Sequence, residues 1–186
     1  MRTGDEEARS PKYAQFERER RFLVDRARQP DLAGLPFVEI EDRYLDGTRL
    51  RLRRMCDGAT GAVVLKLTKK YESEDVRARP IVTAYLAEGE YQALATLPAR
   101  RLFKRRYKIE TGRGVFGIDI FQGVLEGLVL AEIESADAVS LSAVIVPDWA
   151  TEVSDDPRFE GGNLSQLTAA EMAACLKAVQ WPRSGP

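Results

Sequence analysis

Arg49, Arg51 and Arg53 alternate with Leu50 and Leu52, so an extended chain sets three guanidinium groups on one face and the leucines on the other. The two-residue period returns near the start of the chain, where Glu17, Glu19 and Arg21 share a face. It returns again late, where Glu132 and Glu134 share one. Such segments are strands with two unlike faces. Their apolar faces need a common cover, and their charged faces need water or an enclosed polar space.

Short alternating runs predict strands at 16–24, 37–45, 48–55, 62–69, 80–86, 101–109, 115–121 and 126–134. Asp46-Gly47, Asp57-Gly58 with Gly61, and Gly112 with Gly114 punctuate successive runs, which implies antiparallel hairpins. Glu88 to Leu97 reads as a helix ended by Pro98. Thr168 to Glu171 forms a capping-box pattern that opens a second helix, with Met172, Cys175, Leu176 and Val179 at helical spacing. Both helices are expected to pack outside the sheet. The run 136–166 has no clear period. Residues 1–14 are polar and aperiodic and read as a flexible tail, leaving 15–181 as a single domain.

The 186 residues suit one domain with a buried interior. Twenty-eight basic against 29 acidic residues give a net charge of -1, which removes the global basic excess that favours nucleic acid, so no nucleic-acid partner is expected. Histidine is absent, which excludes Ser-His-Asp, Cys-His and His-ligated zinc mechanisms together. Cys56 and Cys175 form no metal-type cluster, and no segment approaches the length of an apolar membrane span. A cytoplasmic protein without a membrane partner, monomeric or homodimeric, is expected.

Alternating Glu and Arg on neighbouring strands also describes an ordinary solvated ladder of ion pairs. Yet charge recurs on the very strands whose apolar faces need one core. A closed sheet with a charged lumen and helices over its outer face satisfies both requirements. Beyond the arginine row, Lys66 and then Lys104, Arg106 and Lys108 repeat the two-residue period. Polyphosphate recognition needs such rows, because each phosphoryl group takes its own cation and arginine engages two oxygens at once. Paired carboxylates facing them suit a divalent cation that accompanies a triphosphate.

Phe16-Glu17-Arg-Glu19-Arg-Arg21-Phe22 resembles the amino-terminal Glu-x-Glu-x-Lys motif of the CYTH superfamily, the triphosphate tunnel metalloenzymes. That superfamily includes inorganic triphosphatases, thiamine triphosphatases and class IV adenylate cyclases. Ile40 to Leu45, Arg49 to Arg53, Val64 to Leu67, Phe103 to Tyr107, Gly117 to Phe121, Gly127 to Glu134 and Glu152 to Phe159 resemble further motifs in the family's order. The resemblance implies a mainly β (α+β) fold, a closed eight-stranded antiparallel β-barrel tunnel with flanking helices. It implies that Glu17, Glu19, Glu132 and Glu134, with Asp119 beside them, hold Mg²⁺ or Mn²⁺. Arg49, Arg51, Lys66, Lys104, Arg106 and Arg158 then bind phosphate, and Tyr44 and Arg21 lie at the reacting centre.

Two positions depart from the family pattern. Arg21 stands where lysine is usual, and arginine holds phosphate but does not release its proton. The fifth strand carries Thr83 and Tyr85 in place of paired glutamates, which leaves a second metal site short of ligands. The expected activity is metal-dependent hydrolysis of inorganic triphosphate or a small organic triphosphate. A class IV-like adenylate cyclase and a non-catalytic polyphosphate or nucleotide-binding module are the alternatives.

Overall fold

Strand β1 (Gln15–Val24) is the seam on which the sheet closes. In the computed structural model, which describes residues 12–112 and 114–179, β1 pairs antiparallel with β5 (Ala78–Tyr85), matching Glu17 to Arg79. It also pairs antiparallel with β8 (Val129–Glu134), matching Arg21 to Glu132. The remaining strands are β2 (Phe37–Leu45), β3 (Leu50–Asp57), β4 (Val63–Lys70), β6 (Ala99–Thr111) and β7 (Gly114–Gln122). The order β5-β4-β3-β2-β6-β7-β8-β1 returns to β5, so the eight strands form the closed antiparallel barrel that the alternation implies. Closure satisfies the backbone groups that an open sheet would leave at its edges.

The hairpins fall at the expected turns, with Gly47 and Gly61 at φ of 69° and 72°, a region that glycine enters without steric cost. A ninth strand, β9 (Ala150–Glu152), pairs with the C-terminal end of β1. It lies in the run without a clear period, and three residues are too few to display one. The expected tail lies outside the described residues as far as position 11, as do residues 180 and 181 at the expected domain end.

Alternation sorts the side chains. On the outer face, Leu52 and Leu65 pack under Tyr91 of α1 (Glu88–Ala95). Elsewhere on that face Phe22, Ile118, Ala131 and Ile133 pack with Leu141 of α2 (Ala138–Ser142) and Ala150 of β9. Arg20 fastens this cover. It donates to both oxygens of Glu152 at 3.0 and 2.7 Å, and to the carbonyls of Leu141, at 3.1 Å, and Val144, at 2.5 Å.

The C-terminal helix departs from expectation. Thr168 and Glu171 form the anticipated reciprocal cap of α4 (Ala169–Ala178), but the helix does not pack on the outer face of the barrel. Its Met172 joins Phe159, Leu164, Leu23, Leu102, Phe121 and Leu130 in one buried cluster. The last four of these alternate with the outward residues of their strands, so they fill one end of the lumen. Covering each contributes roughly 1.5–3 kcal/mol, which draws the C-terminal segment over that end. No helix among the described residues is long and apolar enough to cross a membrane.

Candidate active site

Beyond the apolar cluster the lumen opens into a cavity of about 440 Å³ with walls of opposite charge. Strands β3 and β6 supply Arg51, Arg53, Lys104 and Arg106, with Arg49 in the turn just before β3, while β1 and β8 supply Glu17, Glu19, Glu132 and Glu134. The period of two aims each of these side chains inward, because the intervening residues are needed by the outer core.

On the basic wall most cations already have partners. Asp42, 1% exposed, receives Arg53 through two hydrogen bonds of 2.6 and 2.7 Å, and burial notwithstanding, Arg53 and Arg51 hold its carboxyl well below the ordinary range. Asp119, fully buried, receives Lys104 at 2.5 Å and Arg106 at 2.6 Å. Burial still pushes the Lys104 ammonium below its usual value, Asp119 offsetting only part of the cost. Arg51 is different. Its buried Nε has no hydrogen-bond partner among the described residues, an oxygen of Asp42 lying 3.6 Å away. A buried donor without an acceptor is costly, and an anionic oxygen in the cavity would remove that cost.

On the acidic wall the four glutamates divide. Glu132 is bound by Arg106 and, at 3.3 Å, by Arg21, and these cations overcome its burial to hold its carboxyl well below the usual value. Glu17, Glu19 and Glu134 instead bring one carboxylate oxygen each within 4.8 Å of one another. Burial and the neighbouring carboxylates of Glu17 and Glu19 raise the Glu134 pKa, Arg106 offsetting part of this, while Lys70 pairs with Glu17 and lies 3.6 Å from Glu19. Three oxygen donors crowded together with excess negative charge match what a hard divalent cation requires. The residues therefore fit the implied Mg²⁺ or Mn²⁺ through Glu17, Glu19 and Glu134.

Tyr44 lines the cavity beside Arg51, its cross-strand partner. Burial first and Asp42 second push its phenol up to about 12, so it stays protonated at neutral pH. Its hydroxyl lies under Gly161 of α3 (Gly161–Leu164), where a Cβ would fall 1.9 Å from the oxygen. Arg21 donates to Glu19 at 2.6 Å as well as to Glu132, and these carboxylates outweigh burial to hold its proton still more firmly.

Three residues expected in the site are placed elsewhere. Lys66 directs its ammonium over the Tyr85 ring, 5.2 Å from the centroid, while Lys70, on the same face of β4, is that strand's lysine at the cavity. Arg158 is half exposed and paired with Asp156, whereas Arg79 of β5 lines the cavity. Asp119 faces its two cations and is no part of the three-carboxylate group. Lys70 was legible as the same-face successor of Lys66. Arg79 was hidden because β5 begins at Ala78, two residues before the expected strand.

No protein-family model matches the chain. It is 32% identical over 154 residues to an inorganic triphosphatase of Nitrosomonas europaea, a match covering 79% of this chain and 95% of that protein. Among solved structures, the inorganic triphosphatase NE1496 superposes with a TM-score of 0.53 at 27% identity, covering 80% of this chain and 93% of that one. A structure described as the hypothetical protein NE1496 gives a TM-score of 0.55, also at 27% identity, over 82% and 99%. Closed barrel, opposed charged walls and relatives agree: the chain belongs to the CYTH superfamily of triphosphate tunnel metalloenzymes.

Proposed function

We propose that this barrel hydrolyses inorganic triphosphate or a small organic triphosphate with the help of Mg²⁺ or Mn²⁺. The observation that carries the reading is a basic wall, on which the buried Arg51 Nε has no hydrogen bond among the described residues, facing three crowded carboxylates across one cavity. A polyanion supplies the hydrogen-bond acceptor that the Arg51 Nε lacks, and Lys104 and Arg106, set on rigid β6 by Asp119, hold further phosphoryl oxygens. Held by Glu17, Glu19 and Glu134, a divalent cation would supply charge neutralisation at the phosphoryl oxygens.

The remaining steps belong to the chain. Tyr44, neutral below about pH 12, donates a hydrogen bond toward a phosphoryl oxygen and takes no proton. Arg21 holds its proton throughout and stabilises charge beside Glu19 and Glu132. With neither residue acting as a base, rate enhancement comes from positioning and from fixed positive charge around in-line attack by water, which suits the loose transition state of phosphoryl transfer.

Phosphate release from tripolyphosphate, compared with ATP under Mg²⁺ and Mn²⁺, tests the proposal. Faster turnover of tripolyphosphate is expected. Formation of cyclic AMP and pyrophosphate from ATP would make the protein a cyclase, and tight tripolyphosphate binding without turnover would make it a binding module.

A further inference from the structure

Arg79 already holds an anion. The two carboxylate oxygens of Glu160 reach its two terminal nitrogens, one at 3.1 Å, and the pair is largely buried, with side chains 24% and 29% exposed. A two-pronged carboxylate on guanidinium presents the same edge that a phosphoryl group presents. Both residues line the cavity, and the charge of Glu160 also acts on Arg21.

The placement of Glu160 is built into the C-terminal segment. Phe159 before it and Leu164 after it are each 1% exposed in the apolar cluster that closes the lumen. Asn163 ties back to the Pro157 carbonyl at 2.8 Å, and the glycine at 161 lets this turn settle on the Tyr44 hydroxyl. A glutamate anchored on both sides stands at the cavity by design of the backbone, whereas one on a free loop would move with solvent.

We propose that Glu160 is an internal anionic competitor for Arg79 and thereby sets how tightly the cavity holds polyphosphate anions. The inference rests on the reading of this cavity as a triphosphate site. An incoming ligand engages Arg79 only by displacing Glu160. A triphosphate has three phosphoryl groups, so some remain on Arg51, Lys104 and Arg106 while another exchanges with the carboxylate. A product with fewer phosphoryl groups gives Arg79 back to Glu160, which favours its release. Glu160 lowers the affinity for every such anion by the fraction of time it holds Arg79.

Calorimetric titration of tripolyphosphate and of pyrophosphate, without divalent cation, into the wild type, Glu160→Gln, Arg79→Gln and the double variant tests this. Glu160→Gln is expected to tighten both ligands by about fivefold, the value of one partly buried ion pair. In the Arg79→Gln background the same change is expected to give no tightening. Unchanged or weaker binding by Glu160→Gln, with a lowered melting temperature, would make the pair purely structural and overturn the inference while leaving the triphosphate reading intact. Equal tightening with and without Arg79 would overturn it too, as a general charge effect. Binding seen in Glu160→Gln but not in the wild type supports it; binding in neither overturns both readings. Glu160→Ser, read in the same way, replaces Glu160→Gln should that variant not fold.

Discussion

Arg21 and Glu132 face each other across the register of β1 and β8, with the arginine Nε 3.3 Å from a carboxylate oxygen. The same guanidinium reaches Glu19 at 2.6 Å, so one fixed cation ties together the two acidic strands. A lysine would put a single ammonium there and would not bridge both carboxylates with a planar fork. Arg21→Ala leaves Glu132 to Arg106 alone and Glu19 to Lys70. The variant is expected to lose about 1.5–3 kcal/mol of stability, the range for hydrogen bonds to charged groups, and Arg21→Lys to lose less. Urea unfolding of the two variants checks the order.

The glutamates of the acidic wall should separate under metal titration. Glu134 lies in the three-oxygen group, whereas Glu132 is committed to Arg106 and Arg21. Glu134→Gln is expected to weaken Mn²⁺ binding by roughly tenfold or more, because a hard cation loses one of few charged oxygen ligands. Glu132→Gln is expected to change Mn²⁺ affinity little. Electron paramagnetic resonance of free Mn²⁺ without substrate reads both, and equal losses would refute the division of the wall.

Neighbouring arginines on β3 should also differ. Arg53 holds Asp42, 1% exposed, through two hydrogen bonds, so Arg53→Ala strands a buried carboxylate and is expected to cost about 3–5 kcal/mol. Arg51 has no hydrogen bond from its Nε among the described residues and lies 3.6 Å from Asp42, so Arg51→Ala is expected to cost less stability than Arg53→Ala while raising KM for triphosphate. Denaturation and steady-state kinetics together show whether the two roles separate.

Acid stability should depend on Glu152. Burial raises its carboxyl, but hydrogen bonds from Arg20 and Ser154 outweigh this and hold it below its ordinary 4.5. A depressed folded value means that the contribution is fully present above about pH 4.5 and is lost as pH falls through the lower, folded value. Glu152→Gln is expected to lower the melting temperature at neutral pH, with the gap to wild type narrowing below pH 4.5. A gap that stays constant to pH 3 would exclude the ion pair as its source.

Alternation made the barrel legible. Arg49 to Arg53, Glu17 to Arg21 and Glu132 to Glu134 each carry the period of two over enough residues to show which face is charged, and closure follows from their common need for an outer core. What stayed hidden lies where period carries no information. β9 has three residues, and Glu160 sits in a turn whose position is decided by Phe159 and Leu164 reaching the lumen. Spacing also gives no partner: Glu132 and Glu134 look alike in sequence, and only the register opposite Arg21 and Glu19 separates a carboxylate held by arginine from one crowded by its own kind.

Gly161 offers a test of how the C-terminal segment meets the cavity at Tyr44. A Cβ there would lie 1.9 Å from the Tyr44 hydroxyl and 3.0 Å from the ring carbon that bears it. Gly161→Ala must therefore displace either the tyrosine or the α3 turn, and neither moves freely, since Leu164 is buried and Tyr44 packs against the same apolar cluster. A forced shift of this kind costs typically 1–3 kcal/mol. Removing the hydroxyl with Tyr44→Phe takes away the nearest atom and leaves a contact that a few tenths of an ångström relieve. Gly161→Ala is thus expected to cost markedly less in the Tyr44→Phe background than in the wild type, a coupling read directly from a double-mutant cycle by urea unfolding. Equal costs in both backgrounds would mean that the segment does not rest on Tyr44.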